Sequence, residues 1–268
     1  MANDPADTPL WAIIIPFYNE QDFIAPTLRC ALAQDWPSLA ILLIDNGSTD
    51  GSAALVAGMI AGDPRARLVH EGQPGQTFAL RTGFGIAQEM GAAKVALWDA
   101  DTLYRPDYIA RADALMGTDE TISGAMAIDL YAQFDAPESR LQRRRLALTA
   151  RILSKQCHTG TFGQSYRVSA LAAAGGPKND TWPLVLHDHE TAHRVLKHGR
   201  TVYDADHVCW PSPRRTQNSH VRWNLTERLM YHVTPFALKD WFFYRFLAPR
   251  LKARRMYEAG LRVRDWEQ

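Results

Sequence analysis

Short apolar runs and helix-periodic stretches alternate through the first part of the chain. Trp11 to Pro16 is a compact β-branched run that predicts a strand, and Ile24, Leu28, Ala31 and Leu32 then recur at helical spacing. Ala40 to Ile44 is a second strand ending at Asp45, Asn46-Gly47 turns the chain, and Asp50-Gly51-Ser52 leads into a helix through Leu55, Val56 and Met59. Arg67 to His70 predicts a third strand, Leu80, Phe84 and Ala87 a third helix, and Ala93 to Trp98 a fourth, buried strand. Strands alternating with helices in this way imply βαβ units, a parallel sheet and right-handed crossovers. The second half is less regular. Leu141 to Leu153 reads as a helix carrying Arg143-Arg144-Arg145, Gly175 to Pro183 as a loop, and His187 to His198 as a helix stopped by Gly199. Thr201 to Tyr203 is a short strand, and from Leu225 onward the pattern is helical, aromatic and basic. The chain is expected to divide into a catalytic α/β domain over residues 1–205 and a helical extension over residues 206–268.

Composition narrows the classes. The 268 residues are 46% hydrophobic, enough for one large α/β domain with an appendage. A net charge of +1 gives no bulk argument for nucleic acid as a partner. The three cysteines, Cys30, Cys157 and Cys209, are odd in number and widely spaced, so no disulfide framework is implied and a reducing cytoplasm is the simplest location. Met1 to Pro9 is polar and acidic without a signal-peptide pattern, and no apolar run approaches the ~20 residues a spanning helix needs.

Candidate chemistry concentrates at strand ends. Asp99-Ala100-Asp101 follows the fourth strand directly. Two carboxylates one residue apart at a strand's carboxyl end can meet one divalent cation, and hard oxygen ligands suit Mn2+ or Mg2+ holding substrate phosphates. Alone, Asp-x-Asp also fits a plain solvated turn. Three further stretches stand in order around it: Pro16-Phe17-Tyr18-Asn19-Glu20 after the first strand, Asp45-Asn46-Gly47-Ser48-Thr49-Asp50 after the second, and His187-Asp188-His189-Glu190 opening a later helix.

This ordered set resembles the inverting glycosyltransferases of family 2 over roughly residues 10 to 205. The resemblance implies a GT-A fold: a Rossmann-like, mostly parallel central sheet flanked by helices. It implies an activity too, metal-dependent transfer from a nucleoside-diphosphate sugar to an acceptor hydroxyl on a glycan, lipid or envelope component. Carried over by position, Pro16, Tyr18 and Glu20 line the nucleoside pocket, Asp45 bonds the base or ribose, and Arg81 approaches the diphosphate. Asp99 and Ala100 lie against the nucleotide sugar, with Asp99 either a metal ligand or a ribose contact. Asp101 is the main metal ligand, and His220, or else His207, completes its shell. Asp188 is the catalytic base. Two positions depart from the family pattern: Asn46 replaces a frequent second Asp, and His187 stands where Glu is usual, so that it either modulates Asp188 or contacts the acceptor. Gly160 to Gly163 and Gln164 to Arg167 resemble the acceptor-side wall, and Trp182 is a candidate for stacking on a sugar. Ser219-His220-Val221-Arg222-Trp223 resembles the Gln-x-x-Arg-Trp signature of processive relatives, with Ser219 in place of Gln, which argues against processive polymer synthesis.

Two other readings remain at this level. His189-Glu190-Thr191-Ala192-His193 matches His-Glu-x-x-His, a zinc hydrolase signature on a helix, with His207 or Glu227 available as a third ligand. A non-catalytic nucleotide-sugar-binding or membrane-scaffold protein would accommodate Asn46 and His187. Finally, Trp241 to Phe246 followed by Arg250, Lys252, Arg254 and Arg255 joins apolar bulk to positive charge. That pairing suits either peripheral contact with anionic lipid at the inner face of a membrane or a homodimer through the C-terminal helices.

Overall fold

The computed structural model describes residues 8–178, 180–214 and 223–258. The alternation is present: β1 (Trp11–Phe17), α1 (Ile24–Leu32), β2 (Leu39–Asp45), α2 (Ser52–Ile60), β3 (Ala66–His70), α3 (Gln76–Glu89) and β4 (Lys94–Leu97) follow one another. The chain continues through β5 (Thr102–Tyr104), α4 (Tyr108–Gly117), β6 (Ile122–Asp129), α5 (Pro137–Ile152), β7 (Gln164–Arg167) and α6 (Val168–Ala173). It ends with α7 (His187–Val195), β8 (Arg200–Pro211), α8 (Leu225–Val233), a π-helical stretch Trp241–Leu247 and α9 (Ala248–Ala253).

The sheet has the order β3-β2-β1-β4-β7-β6-β8-β5. β1 pairs in parallel with both β2 and β4, and β2 with β3, so the carboxyl ends of four strands share one edge. Every residue of β1 and β2 is buried, because helices cover both faces. Alternate side chains feed opposite cores. Ile13, Ile15, Ile41 and Leu43 pack with Leu28, Tyr108 and Ile109, whereas Ile14, Leu42 and Ile44 pack with Leu80 and Phe84 of α3. Pro16 fits inside β1 because even-numbered residues there face β4, and β4 stops pairing at Leu97, opposite Ile14. The missing N–H therefore falls where no partner strand remains.

The later half departs from expectation in two places. β8 is a 12-residue strand rather than a three-residue one; it pairs with β6 across register shifts and with β5. Its burial is mixed along its length, which hides the strand period in the sequence. β8 also runs unbroken through residue 205, where the boundary between domain and extension was expected. The second departure concerns the aromatic run near the C-terminus. Phe242, Phe243 and Leu247 are fully buried and form a third core with Trp182, Leu184, Tyr231 and Leu251. That run is mostly interior, and Trp241 alone of its aromatic side chains is exposed. Among the described residues no helix is long and apolar enough to cross a membrane. Cys30, Cys157 and Cys209 are free thiols.

Candidate active site

The carboxyl edge of β1, β2 and β4 gathers the first three stretches. Beyond β1, Asn19 adopts a left-handed backbone (φ 51°), a conformation Asn tolerates better than most residues. There its side-chain oxygen accepts from Thr49 N (2.8 Å), while Ser48 Oγ accepts from Asn19 N (3.1 Å) and Ser52 Oγ from Glu20 N (2.8 Å). These bonds stitch the loop after β1 to the loop after β2, fixing Tyr18 and Glu20 at the rim. Asp45, buried at the end of β2, accepts from Ser48 N (2.9 Å) and lies 3.2 Å from His70 Nδ1. Asn46 donates to the carbonyls of Glu71 (3.1 Å) and Gln73 (2.7 Å) and accepts from Gly75 N (2.8 Å). A carboxylate could make only the last of these bonds, which explains the amide at a position where the resemblance suggests Asp.

Asp99, Ala100 and Asp101 are all buried just past β4. Trp98 stacks on Tyr104 at 3.6 Å, and Tyr104 donates to the carbonyl of Phe162 (2.9 Å), holding the turn rigid from beneath. Asp99 Oδ1 accepts from Gln76 Nε2 (2.9 Å), and Gln76 Oε1 lies 3.3 Å from His187 Nε2. Gln76 thus links the β4 acids to the residue before Asp188. On the other side, Arg214 donates to Asp101 Oδ2 (2.9 Å) and Glu20 Oε2 (2.5 Å), with its guanidinium 4.0 Å from the Phe23 ring centroid. Burial by itself would lower the Arg214 pKa, but Asp101 and Glu20 outweigh it and raise it.

A divalent cation fits here. The donor set is hard oxygen, and the Arg214 guanidinium already rests against Asp101 and neighbouring Glu20, so the site favours positive charge. Among the described residues no three His, Cys, Asp or Glu side chains form a ready-made ligand set. The protein's share would be Asp101 and Asp99.

α7 brings the fourth stretch to this edge. Leu186, immediately before it, has φ 66°, a left-handed conformation that costs a non-glycine residue about 1–2 kcal/mol. His187 is buried, and Asp188 is half-buried at the helix start. Asp188 accepts from the N–H of His189 (2.8 Å) through its side chain and from Gln164 Nε2 (3.3 Å) through its carbonyl. Burial would depress the His189 pKa, but the Asp188 charge and Cys157 overcome it and hold it at about 9.

A model of the family described as "Glycosyl transferase family 2" matches residues 12–173, more than half of the chain. The chain belongs to this family. Among curated relatives of this family 2 chain, the succinoglycan biosynthesis protein ExoO of Rhizobium meliloti is 34% identical over 119 residues, covering 42% of this chain and 33% of ExoO. Polyprenol monophosphomannose synthase of Mycolicibacterium smegmatis is 31% identical over 101 residues, covering 37% and 38%. The chain thus spans only about a third of the length of either relative. Among solved structures, the mannosyltransferase PcManGT from Pyrobaculum calidifontis, in complex with GDP-Man and Mn2+, superposes with a TM-score of 0.67 at 22% identity. The match covers 98% of this chain and 76% of PcManGT. S. aureus TarS 1-349 in complex with UDP-GlcNAc gives 0.59 at 16% identity, covering 97% and 77%. At these identities the likeness is one of fold, and the GT-A architecture expected for family 2 is the one found.

Other expected site residues lie elsewhere in this family 2 fold. Arg81 is exposed on α3, 5.1 Å from the Phe78 ring centroid and 3.4 Å from Gln73 Oε1, on the solvent side of the helix. Trp182 is 1% exposed: its ring meets Phe243 and Tyr244 and its N–H donates to the carbonyl of Val185 (2.9 Å), so both faces that a sugar would need are covered. His207 is buried against Tyr108 with Arg111 and Asp107 nearby, away from the β4 acids. His220 lies outside the described residues. The His-Glu-x-x-His stretch is not a zinc site. Glu190, fully buried, is paired with Arg194 (2.8 and 3.0 Å) and accepts from Tyr244 (2.6 Å). His193 bonds Asp240 (2.7 Å), while His189 meets the rings of Trp223 and Tyr231. Gln76 and Arg214 escaped the sequence reading. Gln76 lies 111 positions from His187 and Arg214 113 from Asp101, so neither contact has a local signature. The one available hint to Gln76 was its place beside Gly75 at a helix start.

Proposed function

We propose that the chain transfers a sugar from a nucleoside-diphosphate sugar to an acceptor hydroxyl, with inversion at the anomeric carbon. The observation that carries this reading is the Asp99–Gln76–His187 bridge, which joins the buried acids after β4 to the helix that presents Asp188. Tyr18, Glu20 and Asp45 line the nucleoside side, with Pro16 setting the backbone beneath them. Asp99 and Ala100 face the ribose and diphosphate. Bound Mn2+ or Mg2+ would neutralise charge on the departing diphosphate as a Lewis acid. Asp101 and Asp99 are the residues that would hold that cation. Asp188 accepts the proton of the acceptor hydroxyl, and that oxygen bonds the anomeric carbon from the face opposite the diphosphate. The bond from that carbon to phosphate oxygen breaks, and the nucleoside diphosphate leaves with the electron pair. An α-linked donor then gives a β-linked product. The acceptor is a glycan or a lipid-linked sugar. Three free thiols favour a reducing compartment, the cytoplasm, with peripheral contact at the inner face of the membrane.

Release of nucleoside diphosphate from a panel of nucleotide sugars, with and without Mn2+, tests the reading. Asp188→Asn should lower turnover by roughly 100-fold or more while nucleotide binding persists. Asp101→Ala should remove the extra thermal stabilisation that Mn2+ gives to the nucleotide complex. Wild-type turnover in either variant would refute the assignment. Glu190 variants are unsuitable as a test of chemistry, because they leave Arg194 buried without its partner.

A further inference from the structure

A cavity of about 740 Å³ opens beside α7, between α5 and α8. Gly160 and Phe162 form part of its wall, and His189, next to Asp188, reaches into it. Arg145, Arg228, His189 and His232 line it against Asp129 and Glu138. The two helices at its lips each expose an apolar stripe. On α5, Leu141, Leu148 and Ile152 are 49%, 59% and 72% exposed; at seven- and four-residue spacing they share one face, and Leu141 belongs to the cavity wall as well. On α8, Leu225, Leu229 and Val233 are 84%, 58% and 59% exposed at four-residue spacing, on the face next to that of Arg228 and His232. Ordinary surface helices turn such residues inward. Around the α5 stripe stand the exposed Arg140, Arg144, Arg145 and Arg151, with Glu138 as the helix's one acid; on α8, Arg228 is exposed while Glu227 is buried and paired with Arg254.

We propose that these two stripes dock the protein on an anionic lipid bilayer, so that the cavity opens onto the headgroups and receives a lipid-linked acceptor from the membrane. Leucines flanked by arginines are complementary to acyl chains beneath a negatively charged headgroup layer. This places the membrane contact on α5 and α8 instead of on Trp241 to Phe246, whose aromatic bulk is mostly core. The cavity's role as an acceptor site rests on the transferase reading; the docking face does not.

Cosedimentation of the whole chain with vesicles of phosphatidylcholine, alone or mixed with phosphatidylglycerol, is the test. The wild type should bind the anionic vesicles, bind neutral ones far less, and weaken as salt rises. The pairs Leu148→Glu/Ile152→Glu and Leu225→Glu/Leu229→Glu replace exposed side chains and should each reduce binding roughly tenfold or more. Thermal stabilisation by nucleotide, measured without vesicles, should persist in both; its loss from the wild type as well would indict the transferase reading alone. Absence of vesicle binding, or binding that both pairs leave unchanged, would overturn the proposal. So would a solution dimer that the glutamates dissociate, since the stripes would then be covered by a second copy.

Discussion

His207 shows how an isolated histidine in the sequence acquires a meaning only from its surroundings. Both ring nitrogens are buried and, among the described residues, lack hydrogen-bond partners, and the ring lies 4.4 Å from that of Tyr108. Burial, reinforced by Arg111 and opposed by Asp107, pushes its pKa from 6.5 down to about 3. Between those values the unfolded chain binds a proton that the native protein refuses, so this group subtracts stability as pH falls through that window and has no linkage effect above 6.5. His207→Leu removes the group at similar volume. Its melting temperature should gain on the wild type progressively as pH drops from 6.5 towards 3, in parallel thermal melts; a constant difference across that range would refute the buried neutral histidine. In the sequence His207 was a second choice for the metal shell, since side-chain type is legible there and burial is not. Asp45, Asp99 and Asp101 could be placed at strand ends because each follows a strand whose apolar pattern is strong, and Asp188 at a helix start because Gly199 marks where that helix stops. Trp182 was misread for the opposite reason: a tryptophan in a Gly/Pro-rich stretch looks exposed until the C-terminal core that encloses it is known.

α3 joins the scales of element and site. Its middle lies close on the sheet: a Cβ at Gly83 would collide with Ile14 Cγ2 and come within 3.3 Å of Ile44 Cγ1. Its start follows Gly75 at φ 139°, a backbone that side chains with Cβ resist, and this delivers Gln76 to Asp99 and His187. The helix was readable from Leu80, Phe84 and Ala87, yet its functional end was not, since a glutamine carries no charge and both its partners come from other elements. On the transferase reading proposed above, Gln76 would act by positioning Asp99 and His187. Gln76→Ala should therefore lower kcat/KM roughly 10- to 100-fold, the range seen when partners that orient ligating groups are lost, and leave the melting temperature nearly unchanged. Gln76→Glu, which sets a carboxylate against Asp99, should do no better. Steady-state kinetics with wild-type rates in Gln76→Ala would show that the bridge is incidental. The same lesson applies to α7, whose charge pattern suggested a zinc helix. At i, i+4 spacing Glu190 and Arg194 form a structural ion pair, and a motif fixed only by spacing cannot distinguish the two.

On the scale of the whole molecule, the C-terminal segment is wired into the start of α3 and the approach to α7. Met256 O accepts from Val185 N (3.1 Å) and Glu258 N donates to Pro183 O (3.1 Å), so the segment pairs with the chain leading into α7. The Glu258 carboxylate, buried, accepts from the backbone N–H of Thr77 and from its hydroxyl (2.7 Å), satisfying an orphan donor in the first turn of α3 and placing negative charge at that helix's positive end. The alternation of the first half gave no warning of this, because it arises from pairings 181 residues apart. The consequence is cooperative: the end of the chain, the approach to Asp188 and the turn that carries Gln76 should open together. Glu258→Ala leaves the Thr77 N–H buried without that acceptor, a cost of about 1–3 kcal/mol. Amide hydrogen exchange should then show Thr77 and Val185 losing protection by similar factors, while the interior of β1 and β2 keeps a higher opening free energy. If the final residues were a loose appendage to an independent α/β domain, Thr77 alone would exchange faster in the variant with Val185 unmoved, and the coupling argued from these contacts would be wrong.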